Sequence, residues 1–216
     1  MITVIYAHKA GQGVTTIAAT LATVTARAGR RTLLVDTGTD LAAVLGIREA
    51  DRPGLAEYLT DTNVTLADVV TPVSESLDLI TRGDQPAELI AANYGLLTSG
   101  LDRYDTVIID AAPDAHQWVH HADTRLLVTR PCYLALRHAT GQRRPSHLVV
   151  ITEPGRALNP ADIEAVTGTP ITATVPHDAA IARAVDAGTL SHRPPRNLTR
   201  ALAPLAAAIT TGTVAR

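Results

Sequence analysis

Short runs of aliphatic and β-branched residues alternate along this chain with longer Ala/Leu-rich stretches of helical period. The short runs predict strands at 2–7, 32–36, 77–81, 105–110, 124–129, 147–152 and 170–175. Several of these runs, "TVIID" and "HLVVIT" among them, are nearly continuous in apolar residues, as strands covered on both faces are. The longer stretches predict helices at 14–29, 54–60, 86–99, 131–140, 160–166, 178–187 and 196–209. Gly29 stands where the first helix should stop, and Pro86 and Pro160 where two later ones should start. This alternation predicts a three-layer α/β fold, a mainly parallel β-sheet flanked by helices. With no internal repeat and no long linker, residues 1–216 are expected to form a single domain. The basic, turn-rich stretch 136–146, "LRHATGQRRPS", reads as a helix end and loop.

Composition narrows the classes. Hydrophobic residues make up 46% and charged residues 19%, the balance of a globular chain rather than a disordered one. A net charge of −2 gives no global basic field for nucleic acid, although a local patch would be hidden in that sum. The one cysteine, Cys132, excludes an internal disulfide and a four-cysteine zinc site. A reducing, cytoplasmic setting is the expectation. The chain enters a strand-like "ITVIYA" directly, without a signal-peptide pattern, and no apolar run approaches the ~20 residues of a membrane span.

The chemistry concentrates at "KAGQGVTT", residues 9–16, between a predicted strand and a predicted helix. That is the setting of a phosphate-binding loop. Gly11 and Gly13 allow the backbone to turn and bring N–H groups to phosphate oxygens, and the helix start adds unsatisfied donors. Thr15 is placed to offer a hydroxyl to Mg²⁺. The alternative is a tight strand–helix turn that binds nothing. Two carboxylates follow at strand ends, Asp36 in "RRTLLVDTGTD" and Asp110 in "YDTVIIDAAPD". At the C-terminal ends of parallel strands they face the crevice where such folds bind ligands, and either could hold Mg²⁺ through water. Helix capping or turn formation is the commoner role of an isolated Asp there.

These segments resemble the ParA/MinD family of ATPases, whose deviant phosphate loop reads K-G-G-x-G-K-[ST]-[ST]. Lys9, the only lysine of the chain, matches the leading signature lysine, and Gly11, Gly13, Thr15 and Thr16 match in turn. Ala10 replaces a glycine and Val14 replaces the second lysine, the one that holds β- and γ-phosphates in the family. "VIIDAAP" is similar to the family's Walker B and switch II segment, with Asp110 and Pro113 matching. Asp36 matches the first aspartate of switch I; the second, associated with activating water, falls on Gly38, with Asp40 two residues further on. "ITATVPHD" resembles the loop near the adenine, through Pro176 and Asp178, while Thr152 and Glu153 stand where many relatives carry a base-reading Asn.

The resemblance implies an ATP/ADP site with Mg²⁺ on residues 9–16 (Lys9, Ala10, Gly11, Gln12, Gly13, Val14, Thr15 and Thr16) together with Asp110, Pro176 and Asp178. It implies Lys9 and Asp36 in catalysis, Thr15, Asp36 and Asp110 toward the metal, and a nucleotide-dependent homodimer across the Lys9 face. Such proteins position DNA or another cargo, or recruit a protein partner. Losing the phosphate ammonium removes charge-assisted hydrogen bonds of about 1.5–3 kcal/mol each, and losing the second aspartate removes a water-orienting acid. Together they predict slow or absent hydrolysis. The rival reading is an interaction scaffold that no longer uses nucleotide. A metabolic P-loop enzyme fits less well, since no second substrate domain is visible and Cys132 stands alone.

Other features carry less. His116 and His120 are four apart, with His121 adjacent, but lack a third zinc ligand; with Trp118 they read as a partner or dimer surface. Cys132 reads as a small buried hydrophobe at a helix start. The tail carries Arg193, Arg196, Arg200 and Arg216, which leaves nonspecific DNA contact open. It lacks the pattern of a membrane-binding helix, so a membrane partner is not expected.

Overall fold

Alternating apolar positions on the central strands send successive side chains to opposite faces of one sheet. In β1 (Ile2–Tyr6), Ile5 enters one buried cluster while Val4 and Tyr6 enter the other. In β2 (Thr32–Asp36), Leu34 faces the first cluster and Leu33 and Val35 the second. The computed structural model describes residues 1–48, 52–84, 95, 97, 100–112 and 118–211. Its remaining strands are β3 (Val70–Ser74), β4 (Leu77–Ile80), β5 (Thr106–Asp110), β6 (Thr124–Thr129), β7 (His147–Thr152) and β8 (Ile171–Pro176). They form one eight-stranded sheet in the order β3-β4-β2-β5-β1-β6-β7-β8. All neighbours are parallel except β3 with β4.

Helices cover both faces. α1 (Val14–Arg27), α2 (Leu41–Leu45), α7 (Ala179–Asp186) and α8 (Arg196–Thr211) lie on the side of the first cluster. α8 buries Leu198, Leu202, Leu205 and Ile209, a helical stripe. α3 (Leu55–Thr60), α5 (Tyr133–Ala139) and α6 (Pro160–Thr167) contribute Leu55, Leu136 and Ile163 to the second cluster, and the short α4 (Leu66–Val69) adds Val69. The three-layer α/β architecture read from the alternation is thus present.

Three elements escape the hydrophobic pattern. β3, α2 and α4 occupy segments where no element is predicted. β3 reads "VTPVS", half-exposed and interrupted by Pro72, which suits an edge strand with one unpaired side. α2 and α4 are of five and four residues, too short to show a helical period. The predicted helix 86–99, with its Pro86, lies outside the described residues apart from positions 95 and 97. Pro113, His116 and Arg216 also fall outside them. Trp118 corrects the surface reading: it is wholly buried in the second cluster, where its large apolar surface is removed from water.

Candidate functional site

β1 lies at the middle of the sheet, where connections run to β2 and β5 on one side and to β6, β7 and β8 on the other. In open α/β sheets, the strand C-termini at this reversal form the ligand crevice. The loop after β1 lies there. Gly11 and Gly13 hold φ of 77° and 95°, in the left-handed region that a side chain disfavours. Gly13 is the N-cap of α1, and a Cβ on it would come within 2.6 Å of Ile151 Cδ1. Lys9, Ala10 and Gly11 are exposed, whereas Gln12 is buried. The Gln12 side-chain oxygen accepts the backbone N–H of Arg130, at the end of β6, at 2.9 Å. The loop is therefore tied to the neighbouring strand rather than held by its own turn alone.

On the other side of β1, Asp36 and Asp110 are register partners at the ends of β2 and β5. Buried Thr37 fastens these ends. Its hydroxyl donates to the Asp110 carbonyl at 2.9 Å and accepts the Ala112 N–H at 2.8 Å. Asp36 is 1% exposed, and its two oxygens accept backbone N–H bonds from Gly38 at 2.7 Å and Leu41 at 2.9 Å. It thus holds the turn into α2, the role that short polar side chains take at such places. Asp110 is buried, and desolvation, with the negative charges of Asp36 and Asp40, pushes its carboxyl up from 3.8 to about 8; a hydrogen bond from Thr15 opposes this.

Two cavities flank the loop. The first, about 220 Å³, is lined by Lys9, Gly11, Val14, Thr15, Asp40 and Asp110, with Gly38 and Thr39 at one wall. The second, about 210 Å³, is lined by Gly13, Thr16, Arg130, Ile151, Pro176 and Asp178 with further aliphatic side chains. Of the residues picked out in the sequence, Thr16, Pro176 and Asp178 thus stand on one side of the loop, and Lys9, Val14, Thr15 and Asp110 on the other. Asp36 lies behind Gly38 rather than on a cavity wall. Asp178 also caps α7 through Ala180 N–H at 2.7 Å and accepts from Asn197 at 2.6 Å.

The donor set of the first cavity suits a divalent cation shared with phosphate. It pairs a threonine hydroxyl with a buried carboxyl group that feels the negative charges of Asp36 and Asp40. Among the described residues no group of three or more His, Cys, Asp or Glu side chains converges, so the protein alone offers no complete ligand set. Val14, half-buried against the first cluster, puts an apolar side chain on the same wall.

Sequence reasoning missed Thr37 and Arg130. Thr37 sits inside the quoted "VDTGTD" but acts through Asp110 and Ala112 at the end of β5, far along the chain. Arg130 directly follows β6, a strand that only the strand order shows to be beside β1.

A family model described as the CobQ/CobB/MinD/ParA nucleotide binding domain matches residues 3–191. No curated protein matches the chain in sequence. Among solved structures, the septum site-determining protein MinD with Mg-ADP from Pyrococcus horikoshii superposes with a TM-score of 0.76 at 21% identity, covering 95% of this chain and 93% of that one. The MinC:MinD cell division complex of Aquifex aeolicus gives 0.80 at 20%, covering 100% and 97%. The ATP complex of McdA from Cyanothece gives 0.70 at 20%, covering 94% and 95%. At these identities the superpositions establish a shared fold.

Proposed function

The chain belongs to the CobQ/CobB/MinD/ParA nucleotide-binding family, and from that premise we propose that it is a nucleotide-dependent switch with slow or absent hydrolysis. The observation that carries this reading is the first cavity: a glycine loop, Thr15 and Asp110 converge on it, while Val14 stands where a phosphate-holding lysine would be. Backbone N–H groups at the start of α1 would bind the phosphates. Thr15 and Asp110 would hold Mg²⁺, with Asp36 reaching it only through water, since its oxygens already accept two backbone bonds. The ion would neutralise phosphate charge. Exposed Lys9, at the cavity rim, is free to serve a ligand in its own subunit or in a second one. The relatives' complexes with Mg-ADP and ATP support the ligand class, and the MinC:MinD complex supports a protein partner.

Function would then lie in what the bound state recruits, a positioned cargo or partner across a homodimer, rather than in turnover. Val14 disfavours hydrolysis because positive charge is missing where negative charge builds up in phosphoryl transfer. Val14 equally favours the rival, a scaffold that has dropped nucleotide altogether. The two separate when binding and phosphate release are measured side by side on the parent and on Val14→Lys. The switch reading expects saturable Mg-ATP binding by the parent with little phosphate release, and release raised by the substitution. Rapid release by the parent, or no nucleotide bound to it, contradicts this reading.

A further inference from the structure

We infer that Arg130 is a phosphate-binding residue, meeting the phosphate nearest the nucleoside, at the opposite end of the phosphate chain from Val14. The inference rests on the nucleotide reading above. A nucleoside polyphosphate has two chemically distinct ends, and the cavities on either side of the loop differ in the same way. The first carries Thr15, Asp40 and Asp110 and suits the cation-bearing end of the phosphate chain. The second, walled by Ile17, Ile151, Val175, Ile181 and Leu198, suits the nucleoside. A chain laid across Gly13 and Thr16 from one to the other passes Arg130, which lines the second cavity together with those two residues.

Arg130 is held for that task. Its backbone N–H is tied to Gln12 of the loop at 2.9 Å, which fixes its Cα against the phosphate path. Its Nη1 meets Glu153 Oε1 at 2.7 Å. Glu153 is shared: its other oxygen pairs with Arg156. Two guanidinium groups against one carboxylate leave one positive charge unbalanced at the end of β6 and β7. The Arg130 Nε is buried with no hydrogen-bond partner among the described residues, and the side chain remains 31% exposed. An arginine clamped at one corner keeps further donors of its fork for a second anion. The second cavity is also lined by His177, Asp178 and Asp186; Asp178 is engaged by Ala180 N–H and Asn197, and Arg130 is the one guanidinium on the wall beside Gly13 and Thr16.

Calorimetric titration of the full chain with Mg-ADP, and with adenosine as the phosphate-free probe, tests this. Arg130→Gln is expected to weaken Mg-ADP about 10- to 100-fold and to leave adenosine unchanged; Arg130→Lys, which keeps the charge but not the fork, should retain only part of the ADP affinity. Should Arg130→Gln fail to fold, Arg156→Gln carries the test. It leaves Glu153 to neutralise Arg130 alone, from an exposed position, and should weaken Mg-ADP several-fold with adenosine unchanged. Parent-like ADP affinity in the folded variant overturns the inference, as does an equal loss for ADP and adenosine, which would mark a packing role. A parent that binds neither ligand overturns the nucleotide reading itself and this inference with it, whereas ADP binding that ignores the Arg130 and Arg156 changes overturns this inference alone.

Discussion

Asp110 is where the site's charges meet. Its carboxyl is raised from 3.8 to about 8, so between those values the folded protein holds a proton that the unfolded chain has released. Stability conferred by that proton is therefore present at low pH and lost as pH rises toward 8. Chemical denaturation at a series of pH values should show the ligand-free protein weakening from about pH 5 to 8, and Asp110→Asn should flatten that slope. A slope unchanged in the variant assigns the proton elsewhere. Mg²⁺ competes with the same proton, so Mg-nucleotide affinity should rise over the same interval. Val14 is the complementary case. Val14→Lys places an ammonium on the wall shared with Asp110 and should tighten Mg-ATP about tenfold or more, read by titration; unchanged affinity would mean that the side chain at this position does not face phosphate.

The strand–loop–helix unit β1–α1 carries the site, and its shape depends on Gly13. A Cβ there meets Ile151 Cδ1, a movable methyl, but the φ of 95° does not relax when Ile151 does. Gly13→Ala should thus cost about 1–2 kcal/mol in thermal or denaturant unfolding, and adding Ile151→Val should recover little of it. Full recovery in the double variant would place the strain in the side-chain contact instead. This unit was legible in the sequence because its signals are local: strand, glycines, paired threonines and helix within "IYAHKAGQGVTTIAATLA". The ends of β2 and β5 were legible for the same reason, each an apolar run closing on an aspartate. What stayed hidden depends on partners far along the chain. Asp36 reads from sequence as a metal or catalytic residue, and no local signal announces the turn-holding bonds it also accepts from Gly38 and Leu41. Arg130 reads as one more arginine until β6 is placed next to β1 and Gln12 is found bound to it. β3 carries an edge strand's weak pattern, and Trp118, amid histidines, gives no local sign that it faces inward.

Across the whole molecule, the central β1 sets two cavities on either side of one loop, one carrying Thr15, Asp40 and Asp110 toward β2 and β5, the other largely aliphatic, with Arg130, Asp178 and Asp186, toward β6, β7 and β8. That polarity matches a ligand with a metal-bound polyphosphate at one end and an apolar ring system at the other. No helix among the described residues is long and apolar enough to cross a membrane. With Lys9 exposed at the rim, the nucleotide-bound form is expected to dimerise across that face. Sedimentation with Mg-ATP should give a heavier species than without it, and Lys9→Ala should remove the difference; a mass indifferent to nucleotide contradicts the dimer. All of this depends on whether the altered loop still binds. Calorimetric titration of Mg-ATP into the unmodified chain tests that most directly. The account predicts saturable binding of one nucleotide per chain at submillimolar concentration, and an absence of any binding heat or competition up to millimolar Mg-ATP would contradict it.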